Sequence, residues 1–445
     1  MKREVITELR KWSKKKNRKP LVIRGARQVG KTTVINMFAE EFSQYIYLNL
    51  ELPADREPFL NFTDIETLAQ SLFFLKNERY DKLKETLVFI DEIQEVPEAL
   101  NILRFFYEEI PDLRVIAAGS LLETIFDQQI SFPVGRVEFL VVRPVSFPEF
   151  LDALGEKAAL EQLKNIPLNA FAHDKLMRLF HTYALIGGMP EIVSAYSKTK
   201  DLTALSALYD GLLATYMDDV EKYATGNQVH ILRHAIRAGF LEAGRRIKFQ
   251  GFGKSNYGSR EMGKALRTLE KTMLFSLIYP LTSAKLPALP NLRKSPRLQA
   301  FDTGLMNYML KIQKEIIGTD DLEEVYQGTM IEHLVGQEIL AHQYKALSTL
   351  YFWTREKKTS DAEIDFIIPF DGKLIPLEVK SGKEGKLRSL HQFMNKAPHD
   401  KAVRIYAGKL EITSVTTIEG KTYKLLNLPY FLTSQIEKYL EWFLN

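Results

Sequence analysis

The residues with the clearest chemical potential form the segment GARQVGKTT, which begins at residue 25. The segment fits the pattern G-x-x-x-x-G-K-[ST], follows the apolar run LVIR and opens an amphipathic stretch. Glycines let backbone N–H groups turn toward phosphate oxygens, and the positive end of a following helix adds to that field. The predicted phosphate-binding residues are Gly25, Ala26, Arg27, Gln28, Val29, Gly30, Lys31, Thr32 and Thr33. Lys31 is expected to reach the β- and γ-phosphates of ATP, and the Thr32 hydroxyl to bind Mg²⁺.

A second candidate group of residues ends the apolar run LVFI. Asp91 and Glu92 follow it, as expected for a buried central strand whose carboxylates emerge at the carboxyl edge of a sheet. Asp91 is predicted to hold Mg²⁺, and Glu92 to polarise the attacking water. The alternative is an ordinary solvated strand end.

Two further residues are candidates for sensing or stabilising the γ-phosphate. Ser120 ends the run RVIAAGS beside this edge, although a plain serine at a strand end explains it equally well. Arg136, in the turn PVGR, is a candidate arginine finger for a neighbouring subunit, with a surface arginine as the alternative. The finger role would require a homo-oligomer.

Short apolar runs alternate with amphipathic stretches around these residues. This alternation is typical of a parallel sheet covered by helices on both faces, with long right-handed crossovers. The five predicted strands begin at Leu21, Tyr45, Leu87, Arg114 and Val137. We therefore expect an α/β fold of the P-loop NTPase kind over residues 1–150.

Residues 151–315 are predicted to be mainly helical and carry a local excess of positive charge. Between residues 233 and 271 there are ten Lys or Arg against three Glu, an excess that attracts polyanions. The segment SREMGKALRTLEKTM has one apolar helical face, which ends at Met273. The basic residues on another face are Arg260, Lys264, Arg267 and Lys271. This pattern favours a winged helix that binds DNA, and a solvated basic face on a helix bundle is the alternative.

Residues 316–445 are predicted to form a smaller α/β domain with a nuclease-like group of side chains. Glu332 lies in a predicted helix, Asp365 in the strand EIDF, and Glu378 and Lys380 in the strand EVK. Residues two apart in a strand share a face, and the Asp-Gly hairpin of FDGK brings the two strands together. Carboxylates can bind Mg²⁺, and a lysine can orient or deprotonate a water that attacks a phosphodiester. This combination is typical of a PD-(D/E)xK nuclease. A structural or inactivated version is the alternative.

The composition excludes several protein classes. Hydrophobic residues make up 45% and charged residues 26% of the 445 residues, which is typical of a globular chain. The absence of cysteine excludes disulfides and thiolate metal sites. No apolar run approaches the ~18 residues of a membrane span, and the start MKREVITELRKW lacks the apolar core of a signal peptide. We expect a cytoplasmic protein without membrane contact.

The chain resembles a prokaryotic family of AAA+-like P-loop ATPases joined to a winged helix and a C-terminal restriction-endonuclease-like domain of unknown function. The resemblance rests on GARQVGKTT, FIDEIQ, PVGR with RPVSFPEFL, GGMPE, FDTGL, and EIDF with LEVKSG. It implies ATP and Mg²⁺ as cofactors and a nuclease-like fold at the C-terminus. The residues that it assigns to these sites are Lys31, Thr32, Asp91, Glu92, Glu332, Asp365, Glu378 and Lys380. One departure is that Leu121 stands where the family commonly has a second serine after Gly119.

Three functional hypotheses follow from these residues. The first is an ATPase whose nucleotide state controls DNA binding and Mg²⁺-dependent DNA cleavage. The second is a nucleotide-gated switch or scaffold that binds DNA or a protein partner without cutting. The third is ATP-driven remodelling of a protein partner.

Overall fold

The computed structural model of the chain describes residues 1–119, 135–312, 328–355, 362–380 and 387–445. Within these ranges no helix combines the length and apolar character needed to cross a bilayer. The described elements form three consecutive blocks: an N-terminal α/β block, a mainly helical middle block and a C-terminal α/β block.

The N-terminal block is built on a five-stranded parallel sheet in the order β2-β3-β4-β1-β5. Its strands are β1 Leu21–Arg24, β2 Gln44–Asn49, β3 Thr86–Asp91, β4 Arg114–Ala118 and β5 Glu138–Val141. Each starts within one residue of its predicted position, so the five predicted strands are confirmed. Every residue of β3 is buried, as expected for a strand covered on both faces.

Helices cover both faces of this sheet. They are α1 Val5–Ser13, α2 Lys31–Ala39, α3 Pro53–Leu60, α4 Ile65–Leu75 and α5 Pro97–Glu109. Alternate residues of β3 face opposite cores: Val88 packs in the core that includes α3 to α5, and Phe89 packs in the core that includes α1 and α2. The predicted α/β class is confirmed, and the carboxyl ends of β1 and β3 meet at one edge, where the site lies.

The middle block is mainly helical, as expected for residues 151–315, and its bounds stay a prediction. Its helices are α6 Phe147–Ala153, α7 Lys157–Leu163, α8 His173–Ile186, α9 Pro190–Thr199, α10 Ser206–Asp219, α11 Asn227–Leu241, α12 Ser259–Lys271 and α13 Thr303–Leu310. After α12, strand β6 (Phe275–Ile278) pairs antiparallel with β8 (Arg297–Ala300). The helix α12 ends before Met273, whose φ of 62° is left-handed, so that residue does not extend the helical face.

The C-terminal block contains a seven-stranded mixed sheet in the order β13-β14-β12-β11-β10-β9-β7. Its strands are β7 Pro280–Leu281, β9 Tyr351–Thr354, β10 Glu363–Phe370, β11 Lys373–Val379, β12 Lys401–Tyr406, β13 Glu411–Thr416 and β14 Thr422–Pro429. Its helices are α14 Gly328–Ala341, α15 Arg388–Lys396 and α16 Ile436–Leu444. The turn between β10 and β11 has φ values of 44° at Asp371 and 69° at Gly372, which confirms the predicted Asp-Gly hairpin.

One continuous buried cluster joins the middle and C-terminal blocks. It contains Phe147 and Phe180 of the middle block together with Leu334 and Phe431 of the C-terminal block. Helix α14 packs against both β8 and β11. The two blocks therefore share apolar packing, and their polar side chains meet along the same contact.

Candidate functional site

The loop between β1 and α2 has the backbone geometry that the glycine pattern predicts. Gly30 has a φ of 87° and Gln28 a φ of 64°, both left-handed. A Cβ added at Gly25, whose φ is 157°, would lie 2.4 Å from the carbonyl oxygen of Val142. Glycine is therefore required at Gly25 by contact as well as by conformation, and the loop closes over the end of the sheet.

Lys31 begins α2 and its side chain folds back into the loop. Its Nζ donates to the carbonyl oxygens of Gly25 and Ala26, each at 3.0 Å, and the residue is 8% exposed. Burial lowers the pKa of Lys31 to about 8, while the carboxylates of Glu92 and Asp91 act in the opposite direction. The ammonium therefore lies beside the loop, where phosphate oxygens would replace the two carbonyl oxygens as hydrogen-bond acceptors.

Thr32 and Asp91 lie in direct contact across the site. The Thr32 hydroxyl donates to Asp91 Oδ2 at 2.7 Å, and the Tyr47 hydroxyl approaches the same oxygen at 3.4 Å. Burial raises the pKa of Asp91, and the hydrogen bond from Thr32 lowers it. A hydroxyl and a carboxylate oxygen are the hard ligands that Mg²⁺ takes beside a nucleotide, so the donor set fits that ion.

Glu92 occupies the turn after β3 in a left-handed conformation, with φ 50° and ψ 44°. Such a conformation is uncommon for glutamate and is concentrated at functional positions. Its Oε2 accepts a hydrogen bond from the Gln94 side chain, while its backbone N–H donates to Asp91 Oδ1 at 3.0 Å. The carboxylate is half-buried beside the loop, where a water could be positioned.

The remaining predicted residues of this site are spread more widely. Thr33 is exposed on the first turn of α2, whereas Ala26 and Val29 are buried beneath the loop. Arg136 lies in an exposed turn and forms an ion pair with Glu108 at 2.6 Å. Ser120 lies outside the described residues, so its sensor role stays a prediction.

The middle block contacts the phosphate loop directly, which the sequence did not predict. Arg27 pairs with Asp219 at the end of α10, and the Tyr216 hydroxyl donates to the Arg27 carbonyl oxygen at 3.0 Å. Pro190, at the start of α9, lies close to Gly30, since a Cβ built there would be 3.6 Å from the proline Cγ. No local pattern reports these pairs, because the partners are far apart in the sequence.

A buried arginine near the N-terminus supports the same loop. Arg3 donates to the Val29 carbonyl oxygen at 3.1 Å and to the Arg143 carbonyl oxygen at 2.6 Å. Its Nε also pairs with Glu149 at 3.1 Å, and Arg3 is 6% exposed. The only sequence signal for this role was a basic residue before an amphipathic helix, which is too common to interpret.

The GGMPE and FDTGL segments, which carried part of the resemblance, pack together. The backbone N–H of Gly188 donates to Asp302 Oδ2 at 2.6 Å, and burial raises the pKa of Asp302 to about 6. A Cβ on Gly304 would lie 1.9 Å from the carbonyl oxygen of Ile186. Glycine and a buried carboxylate thus fix the start of α9, the helix that touches the phosphate loop.

The C-terminal nuclease-like residues are brought into one cluster. Asp365 Oδ2 accepts a hydrogen bond from the Val379 N–H at 2.8 Å, and Lys380 Nζ donates to Glu378 at 2.6 Å. Burial, and then the charge of Asp365, raise the pKa of both Glu378 and Glu332. The proximity of these side chains agrees with the strand alternation used to predict them.

An arginine that the sequence did not single out lies inside this cluster. Arg297 of β8 donates to the Asp365 carbonyl oxygen at 3.0 Å, pairs with Glu363, and lies 3.8 Å from a carboxylate oxygen of Glu332. Across the residues that the structure describes, no three acidic or histidine side chains are arranged so as to hold a metal ion. The assignment of Glu332, Asp365 and Glu378 as metal ligands therefore stays a prediction.

Helix α12 presents the basic face that its sequence predicts. Arg260, Lys264 and Arg267 are exposed, and Lys271 at its end is partly buried. The opposite face buries Met262 and its apolar neighbours in the core of the middle block. The expected core-facing helix with a basic outer surface is confirmed.

Comparison with known proteins addresses the first of these sites. A family model described as an AAA domain matches residues 17–151, which contain the phosphate loop, Asp91 and Glu92. Residues 17–151 are an AAA-like P-loop ATPase domain. Beyond this AAA domain, residues 177–316 and 327–429 match two domains of unknown function, DUF8612 and DUF4143. No curated protein matches the chain.

Several solved structures resemble parts of the chain. A Walker-type ATPase of Pyrococcus abyssi is 16% identical, with 69% of this chain and 95% of that chain covered and a TM-score of 0.45. A STAND ATPase with a tetratricopeptide repeat sensor from Pyrococcus horikoshii is 13% identical. The match covers 75% of this chain and 48% of that chain, with a TM-score of 0.27. Drosophila ORC bound to DNA is 14% identical. The match covers 59% of this chain and 65% of that chain, with a TM-score of 0.24. At these values no property of those proteins extends to this chain.

Proposed function

We propose that the protein is a Mg²⁺-dependent ATPase in which the nucleotide state of the AAA domain controls DNA binding by the middle block. The observation that carries the proposal is the meeting of Lys31, Thr32, Asp91 and Glu92 at one edge of the sheet. Phosphoryl transfer to water needs positioned charge more than covalent chemistry, and these four side chains supply it.

Each side chain has a distinct task in this proposal. Lys31 would exchange its two carbonyl acceptors for phosphate oxygens. Thr32 and Asp91 would hold Mg²⁺ through their side-chain oxygens, and the ion would supply positive charge beside the phosphates. Glu92 orients the attacking water and accepts its proton. Arg136 acts in trans as an arginine finger if the protein forms a homo-oligomer, since its exposed ion pair with Glu108 is open to exchange.

DNA is the proposed partner of the middle block. The exposed basic side chains of α12 support this, together with the order of elements, in which α11 and α12 are followed by the antiparallel pair β6 and β8. That order suits a winged helix in which α12 enters a major groove. The contacts of Pro190 and Asp219 with the phosphate loop supply a route by which bound nucleotide would shift the middle block.

A second candidate function is Mg²⁺-dependent DNA cleavage by the C-terminal block, whose fold we propose to be restriction-endonuclease-like. The convergence of Asp365, Glu378 and Lys380 on neighbouring strands favours it. The position of Arg297 between the carboxylates favours the alternative, in which the block binds DNA or a protein partner without cutting.

The first experiment measures ATP hydrolysis by the purified protein with and without double-stranded DNA. Lys31→Ala controls for contaminating activity, and Glu92→Gln is expected to lower kcat by about 10²–10⁴ with ATP binding retained. Stimulation by DNA of a Lys31-dependent rate supports the proposal. A Lys31-dependent rate that is indifferent to DNA and responds to a protein partner would favour remodelling, and no Lys31-dependent rate at all would refute the ATPase.

DNA binding is tested with two variants that remove the same charge from exposed positions. Lys264→Gln/Arg267→Gln removes two positive charges from α12, and Lys14→Gln/Lys16→Gln removes two from the segment between α1 and β1. The first is expected to weaken DNA binding and to reduce the slope of log affinity against log salt by about 1.8, because each lost phosphate contact contributes about 0.9. Equal effects of the two variants would mean that α12 is not the binding surface.

A further inference from the structure

Arg297 is unusual because it belongs to the middle block by sequence and to the C-terminal carboxylate cluster by position. It begins β8, yet its guanidinium is surrounded by acidic residues of α14 and β10 and is 4% exposed. One nitrogen donates to the Asp365 carbonyl oxygen at 3.0 Å, and another pairs with Glu363. The guanidinium also lies 4.9 Å from the ring centre of Phe352 and 5.8 Å from that of Phe366. Charge, hydrogen bonding and ring contacts all fix it in place.

The charges around Arg297 are those that a divalent cation would need. The carboxylates of the cluster are Glu332, Glu363, Asp365 and Glu378. Within the described residues that surround this cluster, the cations within 4 Å of these carboxylates are Arg297, Lys380 and the partly exposed Arg246, which reaches Glu363 at 3.6 Å. Four carboxyl groups thus meet three cations in this cluster.

Geometry explains why the carboxylates do not form a metal site as they stand. Mg²⁺ requires oxygen ligands at about 2.0–2.1 Å in a near-octahedral arrangement. Oxygens of Glu332 and Asp365 instead face the guanidinium, each 3.8 Å from one of its nitrogens. The guanidinium occupies the space that those ligands would share, so the predicted metal ligands and a metal ion do not fit together in this arrangement.

We propose that Arg297 is a built-in cation that closes the C-terminal carboxylate cluster to divalent metal, and that the cluster binds Mg²⁺ or Mn²⁺ once this guanidinium is removed. The inference rests on the proposed function only in treating the cluster as nuclease-like. In this arrangement the carboxylate cluster is closed to a catalytic metal. Metal binding by the cluster then depends on the position of β8, the strand that carries Arg297.

The position of β8 is coupled to the predicted DNA-binding elements. The Leu298 N–H donates to the Arg245 carbonyl oxygen at 3.0 Å, and β8 pairs with β6, which follows α12. Arg246, next in sequence, reaches the same Glu363 that holds Arg297. A displacement of the middle block on DNA would therefore act on the strand that carries the closing guanidinium.

The test measures Mn²⁺ binding to the full chain without nucleotide, by electron paramagnetic resonance of free Mn²⁺. Arg297→Met keeps an apolar stem over the rings of Phe352 and Phe366 and removes the charge. It is expected to bind Mn²⁺ at least about tenfold more tightly than the wild type. Adding Glu332→Gln should abolish this gain, while the matched control Arg246→Met, which removes a partly exposed arginine from the same acidic group, should behave as the wild type.

Two outcomes would overturn the proposal. One is a folded Arg297→Met variant that gains no Mn²⁺ site, which would mean that the carboxylates cannot bind metal even when open. The other needs no Arg297 variant: a wild-type Mn²⁺ site that Glu332→Gln removes would mean that the cluster already holds metal beside the guanidinium. Neither measurement depends on ATP hydrolysis, so failure here leaves the Lys31-dependent ATPase test unaffected.

Discussion

Lys31 gives the sharpest quantitative prediction, because its protonation should change when ATP binds. In the free protein, burial lowers the pKa of its ammonium to about 8, with Asp91 and Glu92 favouring the charged form and Arg27 opposing it. With phosphate oxygens around the ammonium, the charged form is stabilised and the pKa rises. The bound state therefore holds a proton that the free state loses above pH 8, so binding takes up protons in alkaline solution and weakens as pH rises.

The size of the effect follows from the two protonation states. Where bound ATP keeps Lys31 protonated over this range, the apparent ATP affinity falls by a factor of about 1 + 10^(pH − 8), which is about tenfold between pH 7 and pH 9, or about 1.4 kcal/mol. Proton uptake by Lys31 on binding should be about 0.1 at pH 7 and about 0.75 at pH 8.5.

Calorimetry in two buffers of different ionisation enthalpy measures both the ATP affinity and the number of protons taken up on binding. Lys31→Arg is the control, because a guanidinium stays charged across this range and its ATP affinity should be flat between pH 7 and pH 9. An unchanged wild-type affinity over the same interval, or equal proton uptake by the wild type and the arginine variant, would refute the assignment of a lowered pKa to Lys31.

Two further predictions concern stability and are measured by urea denaturation. Gly304→Ala should destabilise the fold by on the order of 2–3 kcal/mol, since its Cβ would lie 1.9 Å from the Ile186 carbonyl oxygen. Gly211→Ala, inside α10 with nothing within 4 Å of the new Cβ, should stabilise it by about 0.5–1 kcal/mol, and similar shifts for both would contradict this. Arg3→Met should cost about 3–5 kcal/mol by leaving the buried Glu149 carboxylate unpaired. Adding Glu149→Gln should recover part of that loss, and a cost below about 1 kcal/mol would mean that the pair is not needed.

Most of the N-terminal sheet was predictable from the sequence, because its signals are local. An apolar run such as LVFI specifies a buried strand by itself, and the pattern from Gly25 to Thr32 specifies a turn before a helix. The strand β13 was missed for the corresponding reason, whereas β14 was missed although most of its residues are buried. The residues of β13 are largely exposed, so no apolar alternation marks it.

The candidate sites were predictable only in part. The strand pattern places Asp91 at the end of β3, and it places Asp365 and Glu378 inside β10 and β11. Their positions at a sheet edge or on a shared face can therefore be predicted from the alternation of residues along each strand. The cationic partners of these sites, Arg3 and Arg297, come from distant parts of the chain. Nothing in their neighbouring sequence marks them, because an ion pair between remote residues depends on tertiary packing alone.

The two-residue strand β7 has a consequence for any attempt to divide the chain. Pro280 and Leu281 pair in parallel with β9, and Leu281 is buried in a core with Trp353 and Ile364. A fragment starting at residue 328 would lack this strand and expose the outer side of β9 with its unpaired backbone groups. Bare edges of this kind recruit strands from other molecules, so such a fragment is expected to self-associate. Residues 280 and 281 thus cover the edge of β9, and a domain boundary placed near residue 328 from the sequence alone would remove them.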